Sequence, residues 1–183
     1  MPYLNNIVCK LNEGLKRSAL KNGFIDTIAY QVVKKSDEGD QIFPAIYNGG
    51  NAEYIGIDDS NPVIVYHRLL RNAYRKSTTY NDRFVQTAQM VMVVYANYQQ
   101  VSATPDQVEA LVIRYLPTQF AAEDLDLAGM NFVNVQILGS DMNPRNVWAT
   151  EYANVPYRIG VEQIYFSITY NLEIQFDITC LEC

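Results

Sequence analysis

The chain has 183 residues, of which 49% are hydrophobic and 19% charged, so it can bury a core without disulfides or metal. Its 20 acidic and 14 basic residues leave a formal net charge of −6. That charge argues against binding of free nucleic acid, which needs a basic surface to displace counterions from phosphates. An acidic channel through which DNA slides stays possible, because such a wall repels phosphates. We expect no membrane segment and no secretory signal, and hence synthesis in a cytoplasm.

The first half of the chain predicts one helix followed by strands. Residues 2–21 have apolar side chains at helical spacing, with Pro2 in the first turn and Gly23 as a stop. Residues rich in β-branched and aromatic side chains, separated by turns, predict the next strands. These strands cover residues 25–33, 41–47 and 52–57. Residues 63–70 fit a strand or a helix.

The second half predicts a central strand, a helix and two further strands. Residues 83–95 alternate, and both faces become apolar toward the end, which is typical of a strand inside a sheet. Thr104 and Pro105 predict a helix start, with Thr104 as N-cap, and this helix ends near Pro117. Residues 132–138 predict another strand.

The last strand gives the strongest pattern in the sequence. From Ile164 to Asp177, apolar and polar residues alternate without an error. Because successive strand side chains point to opposite faces, this segment predicts one long strand with an apolar and a polar face. At roughly 3.3 Å per residue it would extend about 45 Å. A strand of this length favours an assembly protein over an enzyme.

These elements together predict the fold class. Strands with hairpin-like turns and only two helices favour α+β, namely a mostly antiparallel β-sheet with long strands and two main helices packed on one face. Residues 1–183 show no repeat, linker or low-complexity tract, so we expect a single domain.

No pattern of residues predicts catalysis, a cofactor or a metal. His67 is the only histidine, and no GxSxG elbow or phosphate-binding loop is present, so we expect no enzyme. Cys180 and Cys183 form a CxxC motif, but only Cys9 and His67 could complete a metal site. We interpret these two cysteines as small residues that finish a strand. Arg68 and Arg71, with Arg75 and Lys76, form the only local basic cluster, which could contact an acidic neighbour or a DNA backbone.

The order of the segments and their residue patterns resemble a known protein family over most of the chain. The segments are a leading helix, PAIYNGGNAEYIGI (44–57), YHR (66–68), RFVQTAQMVMVVYA (83–96), PDQVEALVIRYL (105–116) and ITYNLEIQFDITCLEC (168–183). This layout resembles small tail-completion or tail-terminator (neck ring) proteins of tailed bacteriophages, of the kind seen in phages and prophages of Bacteroidetes.

The resemblance implies a structural virion protein with no catalysis and no cofactor. Such a protein forms a closed ring, commonly a hexamer, at the head–tail junction, where it terminates the tail tube and joins it to the neck. Its partners would be further copies of itself, the tail tube, the neck or connector proteins, and double-stranded DNA that passes through the lumen without sequence-specific binding. Its location would be the virion, after assembly in the host cytoplasm.

The resemblance includes no catalytic motif. It therefore suggests only which residues could lie between subunits or in the lumen of a ring. The candidates for inter-subunit or lumen positions are Arg68, Arg71, Thr169, Asn171, Glu173 and Gln175. Three alternatives remain: another head–tail connector ring (a stopper or adaptor), a non-viral module that binds a peptide on the sheet, and a small enzyme that uses His67.

Overall fold

The fold is known from a computed structural model, which describes ten segments of the chain. These are residues 2–18, 20, 23–35, 42–48, 53–56, 63–76, 83–97, 101–121, 130–142 and 165–179. The sequence NGGN predicts a turn at residues 48–51, of which residues 49–51 lie outside the described residues, as do Cys180 and Cys183.

Two helices and eight strands make up the described part of the chain. The helices are α1 (Pro2–Lys16) and α2 (Pro105–Tyr115). The strands are β1 (Phe24–Lys35), β2 (Ile42–Asn48), β3 (Glu53–Gly56), β4 (Val63–Lys76), β5 (Arg83–Asn97), β6 (Gln119–Ala121), β7 (Met130–Asp141) and β8 (Tyr165–Thr179).

The described strands lie in the order β3-β2-β1-β4-β5-β8-β7-β6. The first part of β1, Phe24–Ile28, pairs in parallel with β4, whereas its later part pairs antiparallel with β2. The prediction of an α+β fold dominated by its sheet is confirmed. The predictions of a mostly antiparallel sheet and of long strands hold only roughly. The sheet is mixed because β1 pairs in parallel with β4, and β3 and β6 have only four and three residues.

Local interactions explain where the helices begin and end. Thr104 caps α2 as predicted: its hydroxyl accepts a hydrogen bond from the Gln107 backbone N–H (3.4 Å), and its own N–H donates to the Gln107 side chain (2.9 Å). Helix α1 ends earlier than predicted. Its last turn tightens, because Ser18 donates its backbone N–H to the Leu15 carbonyl (2.9 Å) and its hydroxyl to the same oxygen (2.6 Å).

Gly23 is predicted to end the first helix, but α1 ends at Lys16 and Gly23 instead joins the start of β1 to β4. It has φ +77°, and a Cβ atom built on it would lie 1.8 Å from the Val63 carbonyl oxygen. Its own carbonyl accepts a hydrogen bond from the Val65 N–H (3.0 Å), which joins the start of β1 to β4. Only glycine accommodates both the conformation and this close approach.

Buried residues of both helices cluster with residues from one face of the sheet, which we call the helix face. Strands β5 and β8 pair from Arg83↔Thr179 to Asn97↔Tyr165 without interruption, so that even-numbered residues of both strands share this face. Together with buried residues of the two helices, they form one hydrophobic cluster. From the helices this cluster takes Leu4, Ile7, Val8, Leu11, Leu15, Val108 and Val112.

Gly14 marks the point where α1 approaches the end of α2. A Cβ atom built on Gly14 would lie 2.5 Å from the Tyr115 carbonyl oxygen and 2.6 Å from the Pro117 Cδ atom. Backbone and a proline ring cannot move aside as a flexible side chain can. The glycine inside the helical pattern is therefore explained by packing between the helices.

We predict that Gly14→Ala destabilises the protein by about 1–3 kcal/mol, because the added methyl group would overlap these atoms. In a free helix the same change is stabilising by about 1 kcal/mol, so the sign itself is diagnostic. Gly139→Ala is the matched control, since no atom lies within 4 Å of a Cβ there. Urea unfolding measures both variants, and a Gly14→Ala protein as stable as the wild type would contradict the packing argument.

We predict that Ile168→Asp prevents folding, because Ile168 is fully buried on the helix face and a lone carboxylate there has no partner. Asn171→Asp lies on the same strand, at an exposed position, and should fold normally. Circular dichroism and thermal melting separate the two outcomes. Native melting of Ile168→Asp would show that the assigned core face is wrong.

Candidate functional site

The second face of the sheet, which we call the outer face, carries the polar residues of the last strand. His67 pairs with Met92 on the helix face, and Arg68 pairs with Val91 on the outer face. Val91 in turn pairs with Asn171. The predicted polar face of β8 and the first arginine of the basic cluster therefore share one surface.

One half of the outer face is buried. Tyr66 and Tyr95 lie there with their rings stacked at 6.3 Å between centroids and 11° between planes. Both are at most 3% exposed, and Val93 between them is fully buried. This confirms the prediction that β5 has two apolar faces toward its end.

The other half of the outer face is largely exposed to solvent, and we call it the polar patch. It consists of Arg71, Gln89, Gln136, Asn171, Glu173 and Gln175. Glu173 is half-buried and accepts a hydrogen bond from the Gln175 side-chain amide (3.1 Å). The patch has four amides, one cation and one carboxylate, so it is suited to hydrogen bonding with another surface and its charges balance.

The structure brings most of the predicted contact residues together. Asn171, Glu173 and Gln175 lie in the polar patch. Thr169 sits at its border, half-buried, and its hydroxyl donates to the Asp141 carbonyl oxygen (3.5 Å). Arg68 is also half-buried at the border. The side chains of Arg75 and Lys76 lie outside the described residues.

A β-bulge brings Arg71 onto the outer face. Two residues three apart in a regular strand point to opposite faces. The register shifts between Leu69 and Arg71, however, so that Arg71 pairs with Gln89 on the same side as Arg68. An extra residue on one strand has this effect. The sequence of β4 contains no glycine or proline that would indicate the bulge.

A cross-strand row runs through the patch. Arg71, Gln89, Glu173 and Gln136 are successive partners on β4, β5, β8 and β7. Neighbouring strands lie about 4.8 Å apart, so Arg71 and Glu173 stand roughly 10 Å from each other on either side of Gln89. In the described part of the chain, Arg71 takes part in no ion pair. The alternating pattern of residues 83–95 predicts which face of the strand carries Gln89. Gln136 was not among the predicted contact residues.

Two exposed leucines flank the patch. Leu70 is 49% exposed and lies at the bulge of β4, while Leu138 is 52% exposed and lies at a second register shift, between Ile137 and Gly139 of β7. Three strand spacings, about 14 Å, separate the two strands that carry them. Apolar side chains beside adaptable amides are features of protein-binding surfaces.

His67 does not form a catalytic pair within the described segments. It is fully buried on the helix face, and neither ring nitrogen has a hydrogen-bond partner. Burial lowers the pKa of His67 from 6.5 to about 3, although the nearby Asp26 carboxylate acts in the opposite direction. The imidazole is therefore neutral and inaccessible to a substrate, which counts against the enzyme alternative that depends on it.

The remaining thiol and carboxylates assemble no metal site in the part of the chain that the structure describes. Cys9 is half-buried and unbonded to another cysteine, and burial raises the pKa of its thiol. Lys16 bridges to the Asp26 carboxylate at 2.8 Å, so that carboxylate already has a cation. None of these groups joins the polar patch.

No protein-family model matches the chain, and no curated protein matches it. Within the described residues, neither helix is long and apolar enough to cross a membrane.

We predict that stability falls as the pH drops below about 6.5. Between pH 6.5 and 3 the unfolded chain protonates His67 whereas the folded chain does not, so acid favours unfolding. At pH 5 this amounts to about 2 kcal/mol, since each pH unit between the two pKa values contributes 1.36 kcal/mol. Urea unfolding at pH 7 and pH 5 measures the loss.

His67→Leu supplies the control, because it keeps an apolar side chain in the same place and removes the titrating group. Its stability should differ between pH 7 and pH 5 by much less than that of the wild type. Equal pH slopes for the two proteins would show that His67 is not the group responsible.

Proposed function

We propose that this chain is a structural protein of a bacteriophage neck or tail. It forms a ring at the head–tail junction, terminates the tail tube and joins it to the neck, and it performs no catalysis. Its partners are further copies of itself, the tube and neck proteins, and the DNA that passes through the lumen. It resides in the virion after assembly in the host cytoplasm.

The observation that carries this proposal is the polar patch on long neighbouring strands. Strands β4, β5, β7 and β8 have 14, 15, 12 and 15 residues, and they form a broad platform. Two helices cover one side of that platform, while half of the other side stays exposed. Amides cost less to desolvate than charged groups when they find hydrogen-bond partners, so a surface with four amides and two opposite charges suits an assembly contact.

The charge of the chain is compatible with a lumen for DNA. A formal charge of −6 repels phosphates, so DNA would slide through without binding. Among the described side chains of the outer face, Arg68 and Arg71 are the basic ones. If they lined the lumen, they would contact phosphates without reading the sequence.

Two alternatives use the same surface. Another connector ring, either a stopper or an adaptor, would need the same kind of subunit contact. A peptide-binding module is favoured by Leu70 and Leu138, because two apolar anchors beside hydrogen-bonding amides would hold an extended segment.

The decisive experiment mixes the purified chain with the tube and neck proteins encoded beside it. Negative-stain imaging and mass measurement should then show rings at the end of tubes. A chain that stays monomeric with these partners present, or that binds only a short peptide, would overturn the proposal.

The double variant Asn171→Arg, Gln175→Arg tests how the patch is used. If the patch lies between subunits of the ring, the bulky cations should abolish ring formation. If it lines the lumen, rings should form and retain DNA in a salt-dependent manner. Ile113→Arg is the matched control, because Ile113 is 60% exposed on α2, away from the outer face.

A further inference from the structure

The cross-strand row through the polar patch is arranged symmetrically about Gln89. Strands β4 and β8 are the two neighbours of β5, and they place Arg71 and Glu173 directly beside Gln89, one on each side. The cation and the carboxylate face the same way on either side of Gln89, and no ion pair joins them in the described part of the chain. This arrangement is complementary to itself.

We propose that the polar patch binds the same patch of a second copy of this chain around a two-fold axis. An axis parallel to the strands and above Gln89 exchanges the positions of β4 and β8. Arg71 of each copy then lies opposite Glu173 of the other, and the two Gln89 amides meet on the axis. A primary amide has both donors and an acceptor, so two such groups can pair with each other.

Charge complementarity favours a second copy over an unrelated partner. Two chains of charge −6 repel each other over most of their surfaces. Within the cross-strand row Arg71 balances Glu173, so the described side chains there carry no excess of negative charge. The row is a place where two acidic copies can approach, and the two reciprocal ion pairs fix how they meet.

The exposed leucines add apolar contact at different distances from the axis. Leu70 is next to Arg71 on β4, one strand from the axis and therefore close to the centre. Leu138 lies on β7, two strands from the axis, at the rim. Central apolar side chains contribute more to an interface than rim ones. Because the patch is only about 14 Å wide, the dimer should be a weak one.

This inference does not rest on the proposed function. A two-fold contact uses one patch twice and stops at two copies, whereas a ring needs two different patches. The dimer is tested on the purified chain alone, without tube or neck proteins. Dimers without rings, or rings without this dimer, would therefore identify which of the two proposals fails.

A charge-exchange experiment by sedimentation velocity tests the contact. We expect the wild type to dimerise at high concentration. We expect Arg71→Glu alone and Glu173→Arg alone to raise the dimer Kd roughly tenfold or more, because each variant places like charges together twice. A mixture of the two variants should form a one-to-one dimer of near wild-type affinity, since both opposite-charge pairs return.

The leucine variants give the second measurement. Leu70→Ser should raise the Kd more than Leu138→Ser, and Ile113→Ser on α2 should leave it unchanged. Thermal melting confirms that each variant is folded. A wild type that stays monomeric at its solubility limit, single charge variants that dimerise normally, or a mixture that does not recover would each overturn the proposal.

Discussion

The uninterrupted pairing of β5 with β8 is the constraint on which the rest of the structure depends. Fifteen residues of each strand are matched without a bulge, so one register decides the face of every side chain on both strands. A slip by one residue would exchange the buried and exposed sets. The apolar set of β8, from Phe166 to Phe176, pins that register because it can lie only against the helices.

The helix face has consequences for both stability and acid sensitivity. Close packing of α1 against the end of α2 requires a residue without a side chain at Gly14. The same face encloses His67 and Tyr170, and burial raises the pKa of the tyrosine. Polar groups without partners in an apolar layer cost free energy, so the core is not optimised for stability alone. The structure gives no physical reason why a histidine occupies this position.

The outer face differs from the helix face because one of its halves is buried and the other is exposed to solvent. The half around Tyr66 and Tyr95 is buried like a second core, whereas the half around Gln89 and Asn171 is exposed. The boundary falls where β4 and β7 each carry a bulge. Bulges shift which side chains a strand presents and often lie beside functional surfaces. Here they bring Arg71 into the polar patch and leave Leu70 and Leu138 exposed at its sides.

The sequence by itself determined the long alternating strand, the capped second helix and the α+β class. These features follow from local rules: a period of two, the Thr104–Pro105 start, and the shortage of helical segments. It also grouped Asn171, Glu173 and Gln175 correctly, because residues two apart on one strand share a face. Tertiary structure alone decided the parallel pairing of β1 with β4, the short strand β6, and the bulges. Those features depend on which strands become neighbours, and the residue pattern of a single strand does not specify which strand lies beside it.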